Sequence, residues 1–185
     1  MPDNSCMRRV CQGDLGGLAA LFERYHRPLY QYFVHLSGNR DLSQDLVQDV
    51  FFRILKYRDT FQPDASFTAW MYQIARNTHT DSLRKRRFEV IPGGADAKEI
   101  EMPSHDEAPE DRIGRKQEVK LLRKALDRLP PEKREVLILS RYQNLKYEEI
   151  AEILDCEVNT VKVRVYRAVQ ALSQIYFQMA NEKAG

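Results

Sequence analysis

Apolar residues recur every three or four positions along most of this chain, which is the spacing of amphipathic α-helices. The strongest stripe predicts a helix over residues 41–57. Weaker stripes predict helices over 15–25 and 29–36, the second of which follows Pro28. A long helix is predicted from an N-cap at Ser66 to about residue 87. Since no alternating pattern indicates a strand, we expect an all-α fold.

Residues 88–115 separate two helical blocks and differ from both in composition. They are rich in proline and glycine and contain few large apolar side chains. Counted from the sequence, the net charge is +4 over residues 1–87, −5 over 88–115 and +3 over 116–185. Such a segment buries too little surface to offset its ordering entropy. We therefore predict two small helical domains, 1–87 and 116–185, joined by a flexible acidic linker over 88–115.

The second domain begins with helices predicted over 117–129 and 132–142, and residues 147–172 then have the pattern of two helices joined by a sharp turn. Ala151, on the apolar face of the first helix, is small enough for a close crossing. The turn is confined to residues 155–157. Apolar residues also share one face of the second helix: Val161, Val165, Ala168, Val169 and Leu172. This pattern is typical of a helix-turn-helix that reads DNA.

The other face of that second helix carries polar and basic side chains that suit phosphates and base edges. These are Asn159, Thr160, Lys162, Arg164 and Arg167. We call them the basic face. The alternative interpretation is a helical hairpin with a solvated basic surface.

Two features of the first domain also suit nucleic acid. The long helix ends in a basic run at 84–87, with Arg76 and Asn77 further up, although the helix dipole alone favours cations at such an end. The loop before this helix contains Phe61, whose ring could stack on an unpaired base. We expect the nearby Phe67 and Trp70 to belong to the core.

One polar stripe of the 41–57 helix has a different character, being acidic with a single aromatic residue. It comprises Asp45, Gln48, Asp49 and Phe52, at helical spacing. An acidic stripe suits a basic protein partner better than DNA, and an exposed phenylalanine would anchor such a contact. The alternative is a solvated face with one isolated aromatic. We call these four residues the acidic stripe.

The composition argues against several other classes of protein. No run approaches the roughly 18 apolar residues that cross a bilayer, and the N-terminus lacks a secretory signal, so we expect a cytoplasmic protein. Cys6, Cys11 and Cys156 should be reduced thiols, and the sequence leaves open whether Cys6 and Cys11 have a redox or metal role. The histidines lack ligand spacing and no phosphate-binding loop occurs. We expect no catalytic site, no metal and no cofactor.

Four segments of the chain occur in this order: DLVQDVFFRILK, SFTAWMYQIARNTHTDSLRKRR, LDRLPPEKREVLILSRYQNLKYEEIAEIL and NTVKVRVYRA. In sequence and in order they resemble the extracytoplasmic-function (ECF) group of bacterial sigma-70 factors. The resemblance covers about residues 18–172. It implies a sigma region 2 domain over 1–87 and a sigma region 4 domain over 116–185. It further implies a promoter-specificity subunit that binds core RNA polymerase and promoter DNA, with an anti-sigma factor as its expected regulator.

The resemblance implies roles for matching residues. The acidic stripe would meet the clamp coiled coil of RNA polymerase. Phe61, Ser66 and Asn77 would capture a base flipped from the non-template strand of the downstream promoter element. Four residues would hold DNA at the upstream end of the melted region: Arg76, Thr80, Arg84 and Lys85. The basic face would meet the upstream promoter element in the major groove.

One departure from the family and two rival interpretations stay open. The turn has Asp155 where relatives often have glycine, and aspartate adopts the left-handed conformation less readily. The first rival is a stand-alone helix-turn-helix regulator that never binds polymerase. The second is a helical protein-binding adaptor, which would lack salt-dependent DNA affinity.

Overall fold

The computed structural model describes residues 2–89 and 109–184, which are helical apart from short connections and contain no strand. The first half contains α1 (Asp3–Cys11), α2 (Leu15–Ser37), α3 (Arg40–Lys56), a 3-10 turn (Arg58–Thr60) and α4 (Phe67–Glu89). The second half contains α5 (Pro109–Asp127), α6 (Pro131–Leu137), a π turn (Ile138–Tyr142), α7 (Tyr147–Leu154) and α8 (Val158–Ala184). The expected all-α fold is confirmed.

The core of the first half lies between α2, α3 and α4. The apolar stripe of α3 supplies Leu46, Val50 and Ile54, each no more than 2% exposed. Phe67 and Met71 of α4 close this core from the other side, with exposures of 1% and 0%. Each such buried side chain contributes about 1.5–3 kcal/mol of transfer free energy. The core therefore fixes which face of α3 and of α4 is turned to solvent.

The expectation of two helices on either side of Pro28 is wrong, because α2 runs unbroken from Leu15 to Ser37. A proline inside a helix removes one hydrogen bond and crowds the preceding turn. Here Leu21 before Pro28, and Leu29 and Phe33 after it, are all 0% exposed in the same core. Burial on both sides of Pro28 keeps the two segments in one helix.

The sequence pattern gave no element to the N-terminus, yet the structure has α1 there. Cys6, Met7 and Val10 lie on one face of α1 and are at most 1% exposed. At Gly17 of α2, an added Cβ would lie 2.5 Å from the backbone oxygen of Cys6. Only glycine allows α1 and α2 to approach so closely, and this approach holds α1 firmly on the domain.

Helices extend into both ends of the segment that was predicted to be a linker. Helix α4 extends to Glu89, and α5 begins at Pro109 rather than at residue 117. The sequence Pro109-Glu110-Asp111 suits the first turn of a helix, where proline and acidic residues are favoured. The remainder of the predicted linker, residues 90–108, lies outside the described residues. The domain boundaries stay predictions.

Candidate nucleic-acid and protein interfaces

The predicted helix-turn-helix is formed by α7 and α8. Ala151 is 7% exposed where the two helices meet, and Ile150 beside it is fully buried. Asp155 adopts the left-handed conformation, with φ 48° and ψ 58°, despite not being glycine. The backbone N–H of Cys156 donates to the oxygen of Ala151 at 3.0 Å. This bond closes the turn and sends the chain directly into α8.

The start of α8 presents the predicted basic face to solvent. Four of its members are exposed and Thr160 is half-buried. On the opposite face, Val161, Val165 and Ala168 are at most 4% exposed and attach the helix to its domain. Val169, expected in that apolar face, is instead 42% exposed.

Two apolar residues on the exposed side of α8 were missed in the sequence. Val163 is 47% exposed and Tyr166 is 64% exposed, and both stand among the basic-face residues. Helical spacing could have identified them, since neither falls in register with the buried positions. A valine in this place offers methyl groups of the kind that contact the methyl of thymine.

The acidic stripe lies on the solvent side of α3, as expected. Asp45, Gln48 and Asp49 are exposed, and Phe52 is 66% exposed. A phenylalanine so exposed beside two carboxylates forms an apolar spot within an acidic surface. The contact of this stripe with a protein partner stays a prediction.

The loop that joins α3 to α4 corrects one expectation. We call residues 61–66 the capture loop. Phe61 is only 6% exposed, because its ring packs edge-on against Trp70 at 5.3 Å between centroids. It is therefore a core residue of this structure and does not offer its face to a base. The exposed loop side chains are Gln62, Pro63 and Asp64.

Ser66 caps α4, as the sequence predicts. Its hydroxyl accepts from the backbone N–H of Ala69 at 3.3 Å, and its carbonyl accepts from the N–H of Trp70 at 3.0 Å. Caps of this kind satisfy N–H groups that the first helical turn leaves without partners. Ser66 thus fixes where the capture loop ends.

The candidate DNA residues of α4 lie along one solvent-facing side. Asn77, Thr80, Arg84 and Lys85 are exposed. Arg76 differs from them, because its guanidinium Nε lies 3.0 and 3.2 Å from the two carboxylate oxygens of Glu135 in α6. Glu135 also accepts from the hydroxyl of Tyr32, at 3.2 Å. Arg76 is therefore engaged by the second half of the chain.

Further contacts join the two halves at the same place. The hydroxyl of Tyr72 donates to the side chain of Gln143 at 2.8 Å, and Gln73 donates to the backbone oxygen of Glu152 at 2.7 Å. The ring of His35 packs on Tyr142 with centroids 4.1 Å apart. The structure is thus a closed arrangement in which α6, the π turn and α7 cover part of α2 and α4.

Acidification is expected to weaken this closed arrangement through His35. Burial lowers the pKa of His35 from 6.5 to about 4, and the nearby Arg123 acts in the same direction. Because the packed state favours the neutral ring, its stabilisation is complete above about pH 6.5 and is lost as the pH falls towards 4. Burial also lowers the pKa of His79. The melting temperature should therefore fall between pH 7 and pH 5.

The matched variants are His35→Phe, which keeps an aromatic ring without the titration, and His26→Phe, which lies outside the contact. Calorimetry at both pH values should give a smaller pH effect in His35→Phe than in the wild type or in His26→Phe. An identical pH effect in all three proteins would contradict the assignment to His35.

The described residues contain no cluster of three or more side chains that could hold a metal ion. None of the described helices is both long enough and apolar enough to cross a membrane. Cys6 is buried, and the thiol of Cys11 donates to the backbone oxygen of Arg58 at 3.2 Å. Both cysteines therefore have a packing role in the first half.

Comparisons with known proteins match both halves of the chain. The family model for Sigma-70 region 2 matches residues 21–89, and that for Sigma-70, region 4 matches residues 120–172. The ECF RNA polymerase sigma factor EcfG of Rhodopseudomonas palustris (strain TIE-1) is 37% identical over 158 residues, which are 85% of this chain and 83% of that protein.

Two solved structures are also similar. The sigma factor RpoE in complex with the anti-sigma factor NepR, from Bartonella quintana, has a TM-score of 0.67 and 26% identity, over 85% of this chain and 94% of that chain. CnrH in complex with the cytosolic domain of CnrY has a TM-score of 0.71 over 94% of this chain and 96% of that one. At 24% identity, the likeness to CnrH concerns the fold alone.

The helix-turn-helix and the fold thus define a helical DNA-binding protein of transcription. The chain belongs to the sigma-70 family of RNA polymerase sigma factors, in its ECF group. Members of this family are transcription initiation factors that confer promoter recognition on RNA polymerase.

Proposed function

We propose that the basic face of α8 contacts the upstream promoter element. The observation that carries this proposal is the exposure of its donors on a helix whose other side is buried against α7. Lys162, Arg164 and Arg167 project from the first turns of α8, where a helix in the major groove meets base edges and phosphates. Val163 and Tyr166, exposed between them, add apolar contact area to the same surface.

The acidic stripe of α3 is proposed to bind core RNA polymerase. Asp45 and Asp49 supply the charge for a basic partner surface, and Phe52 supplies an apolar anchor. This stripe lies on α3, whereas the DNA-facing residues lie on α4 and α8. Distinct faces allow the protein to hold polymerase and promoter together.

The first domain is proposed to bind the melted downstream element with the capture loop and the exposed side of α4. Asn77, Thr80, Arg84 and Lys85 supply hydrogen bonds and positive charge along that side. With Phe61 buried, base capture is proposed to use the polar loop residues up to Ser66, together with Asn77. Arg76 can join this surface only after it leaves Glu135.

Breaking the contact between Arg76 and Glu135 is therefore expected to favour DNA binding. The change Glu135→Gln removes a carboxylate that accepts from both Arg76 and Tyr32. Without polymerase present, affinity for a single-stranded oligonucleotide should rise about fivefold, because the side chain of Arg76 is 42% exposed and an ion pair of that exposure is worth up to about 1 kcal/mol. The radius of gyration from small-angle scattering should also increase.

The matched control is Glu132→Gln, which makes the same change at an exposed position of α6. It should alter neither quantity. If Glu135→Gln leaves both the affinity and the radius at their wild-type values, then Arg76 is not restrained by this contact.

The protein is further proposed to be a cytoplasmic, non-enzymatic factor under the control of an anti-sigma factor. Support for a regulator comes from the similar RpoE, which was solved with the anti-sigma factor NepR. Base capture as proposed requires no cofactor. Unstacking one base costs only a few kcal/mol, and the contacts that the protein makes with the base and with phosphates offset this cost.

Co-purification with bacterial core RNA polymerase, followed by a DNA-binding titration at increasing salt, tests this proposal against its rivals. We expect a stable complex with the polymerase and DNA affinity that falls steeply with salt. A stand-alone regulator would bind DNA without forming that complex. A protein-binding adaptor would have no salt-dependent DNA affinity. Either outcome would contradict the proposal.

A further inference from the structure

The capture loop is held from outside by a residue that lies far away in the sequence. Asn4 of α1 donates from its side-chain nitrogen to the backbone oxygen of Ala65 at 2.8 Å. Its side-chain oxygen accepts from the backbone N–H of Phe67 at 3.0 Å. These two bonds lie on either side of Ser66, so one amide group bridges the junction between the capture loop and α4.

This junction has few other sources of order. The loop itself supplies one backbone bond here, from the N–H of Ala65 to the oxygen of Gln62 at 3.0 Å. The hydroxyl of Ser66 accepts from the N–H of Ala69, whereas the N–H of Phe67 donates to the side chain of Asn4. Asn4 contacts one donor, the N–H of Phe67, and two acceptors, the backbone oxygens of Ala65 at 2.8 Å and of Pro63 at 3.5 Å. A side-chain amide has both functions, whereas a carboxylate or an alkyl group does not.

The helix that carries Asn4 cannot shift easily. Cys6 and Met7, two and three residues after Asn4, are buried, and Gly17 allows the backbone of α2 to approach α1 closely. The hydroxyl of Tyr25 joins Asp3 at 2.6 Å and Thr68 at 3.1 Å, which ties the start of α1 to the first turn of α4. Asn4 therefore transmits the position of a rigid element to the loop.

We propose that Asn4 is a positioning residue for base capture. It sets the conformation of the capture loop, and thereby the base that the loop selects in the downstream promoter element. The inference rests on the proposed function of that loop and goes beyond it, since it assigns Asn4 an action through the loop rather than through a contact with DNA. A loop that is already ordered before it binds a base loses little conformational entropy on binding. It also presents its polar groups in one geometry.

The decisive variant is Asn4→Asp, which keeps the acceptor for Phe67 and removes the donor to Ala65. Asn4→Ala removes both. The matched control is Gln12→Glu, the same amide-to-carboxylate change at an exposed position at the end of α1. If Asn4→Ala does not fold, Asn4→Asp alone decides the question.

The first measurement is hydrogen–deuterium exchange of the full chain over residues 61–67. We expect faster exchange in Asn4→Asp than in the wild type or in Gln12→Glu, while exchange in the rest of the first domain stays unchanged. Unchanged exchange in residues 61–67 would overturn the proposal.

The second measurement uses transcription by the protein with bacterial core RNA polymerase. The templates carry a promoter recovered with the wild-type protein, randomised over its downstream element or, separately, its upstream element. Sequencing of the RNA gives the base preference at each position. Asn4→Asp should lower the preference at one downstream position by about tenfold and leave the upstream preferences intact.

The outcomes of the second measurement distinguish a failure of the proposed function from a failure of the role proposed for Asn4. A wild-type protein that never initiates would refute the proposed function. A wild-type protein that initiates, combined with unchanged downstream preferences in Asn4→Asp, would refute the role of Asn4 alone. An equal loss of preference at both elements would mark Asn4 as a merely structural residue and would also refute it.

Discussion

Replacing Lys162 and Arg167 with alanine is expected to weaken binding to the upstream promoter element about 30-fold or more. Each side chain projects from the exposed face of α8, and one good contact to a base or phosphate is worth about 1–3 kcal/mol. Two such losses of about 1 kcal/mol each already give this factor. Fluorescence anisotropy with duplex DNA of the upstream element measures the effect, and the salt dependence should become shallower.

The control removes one lysine and one arginine elsewhere in the same half, at the exposed Lys124 and Arg128. This pair should change the affinity for DNA far less, although the net charge falls equally. Neither double variant should lose its association with core polymerase. Equal losses of DNA affinity in the two variants would indicate a general charge effect rather than recognition by α8.

Charge reversal in the acidic stripe is expected to have the second large effect. Asp45→Lys combined with Asp49→Lys should weaken binding to core RNA polymerase at least tenfold, because like charges facing each other across an interface cost several kcal/mol. Both side chains are exposed and neither belongs to the core, so the fold should persist. Biolayer interferometry with immobilised core enzyme measures the affinity, and the upstream-element titration shows whether DNA binding is intact.

The charge-matched control is Glu118→Lys combined with Glu182→Lys, two exposed positions of α5 and α8. It should retain wild-type affinity for polymerase. Full affinity in the Asp45 and Asp49 variant would remove the acidic stripe from the polymerase interface.

The parts of this molecule that local sequence pattern determines were predicted well. The 41–57 helix, the cap at Ser66 and the helix-turn-helix follow from apolar spacing and capping chemistry within one or two turns. The exposed side of α8 follows from the same spacing, because the face opposite a buried face is turned to solvent. Apolar periodicity is thus sufficient to predict a helix and its exposed side where one helix packs on one core.

Features that depend on contacts between residues far apart in the chain were not predicted from the sequence. The nine residues of α1 carry too short a stripe to be distinguished from a mobile end, and their burial comes from α2. Phe61 looked available because it lies in a loop, but Trp70 and Phe67 cover its ring. Arg76 and Glu135 are 59 positions apart, so no local pattern could indicate their pairing.

Positive φ at Asp155 is a smaller case of the same kind. Intrinsic preference disfavours the left-handed region for aspartate relative to glycine, yet Asp155 adopts it in the turn between α7 and α8, with a φ of 48°. Asp155→Gly is a change that the backbone conformation already fits.

The central claim is that this helical chain joins core RNA polymerase to promoter DNA through separate faces. Run-off transcription with purified bacterial core enzyme, the purified protein and a library of genomic fragments tests it most directly. We predict discrete transcripts that require both components and disappear with the Lys162 and Arg167 double variant. Absence of any protein-dependent start site, with an active core enzyme and no inhibitor present, would contradict the claim.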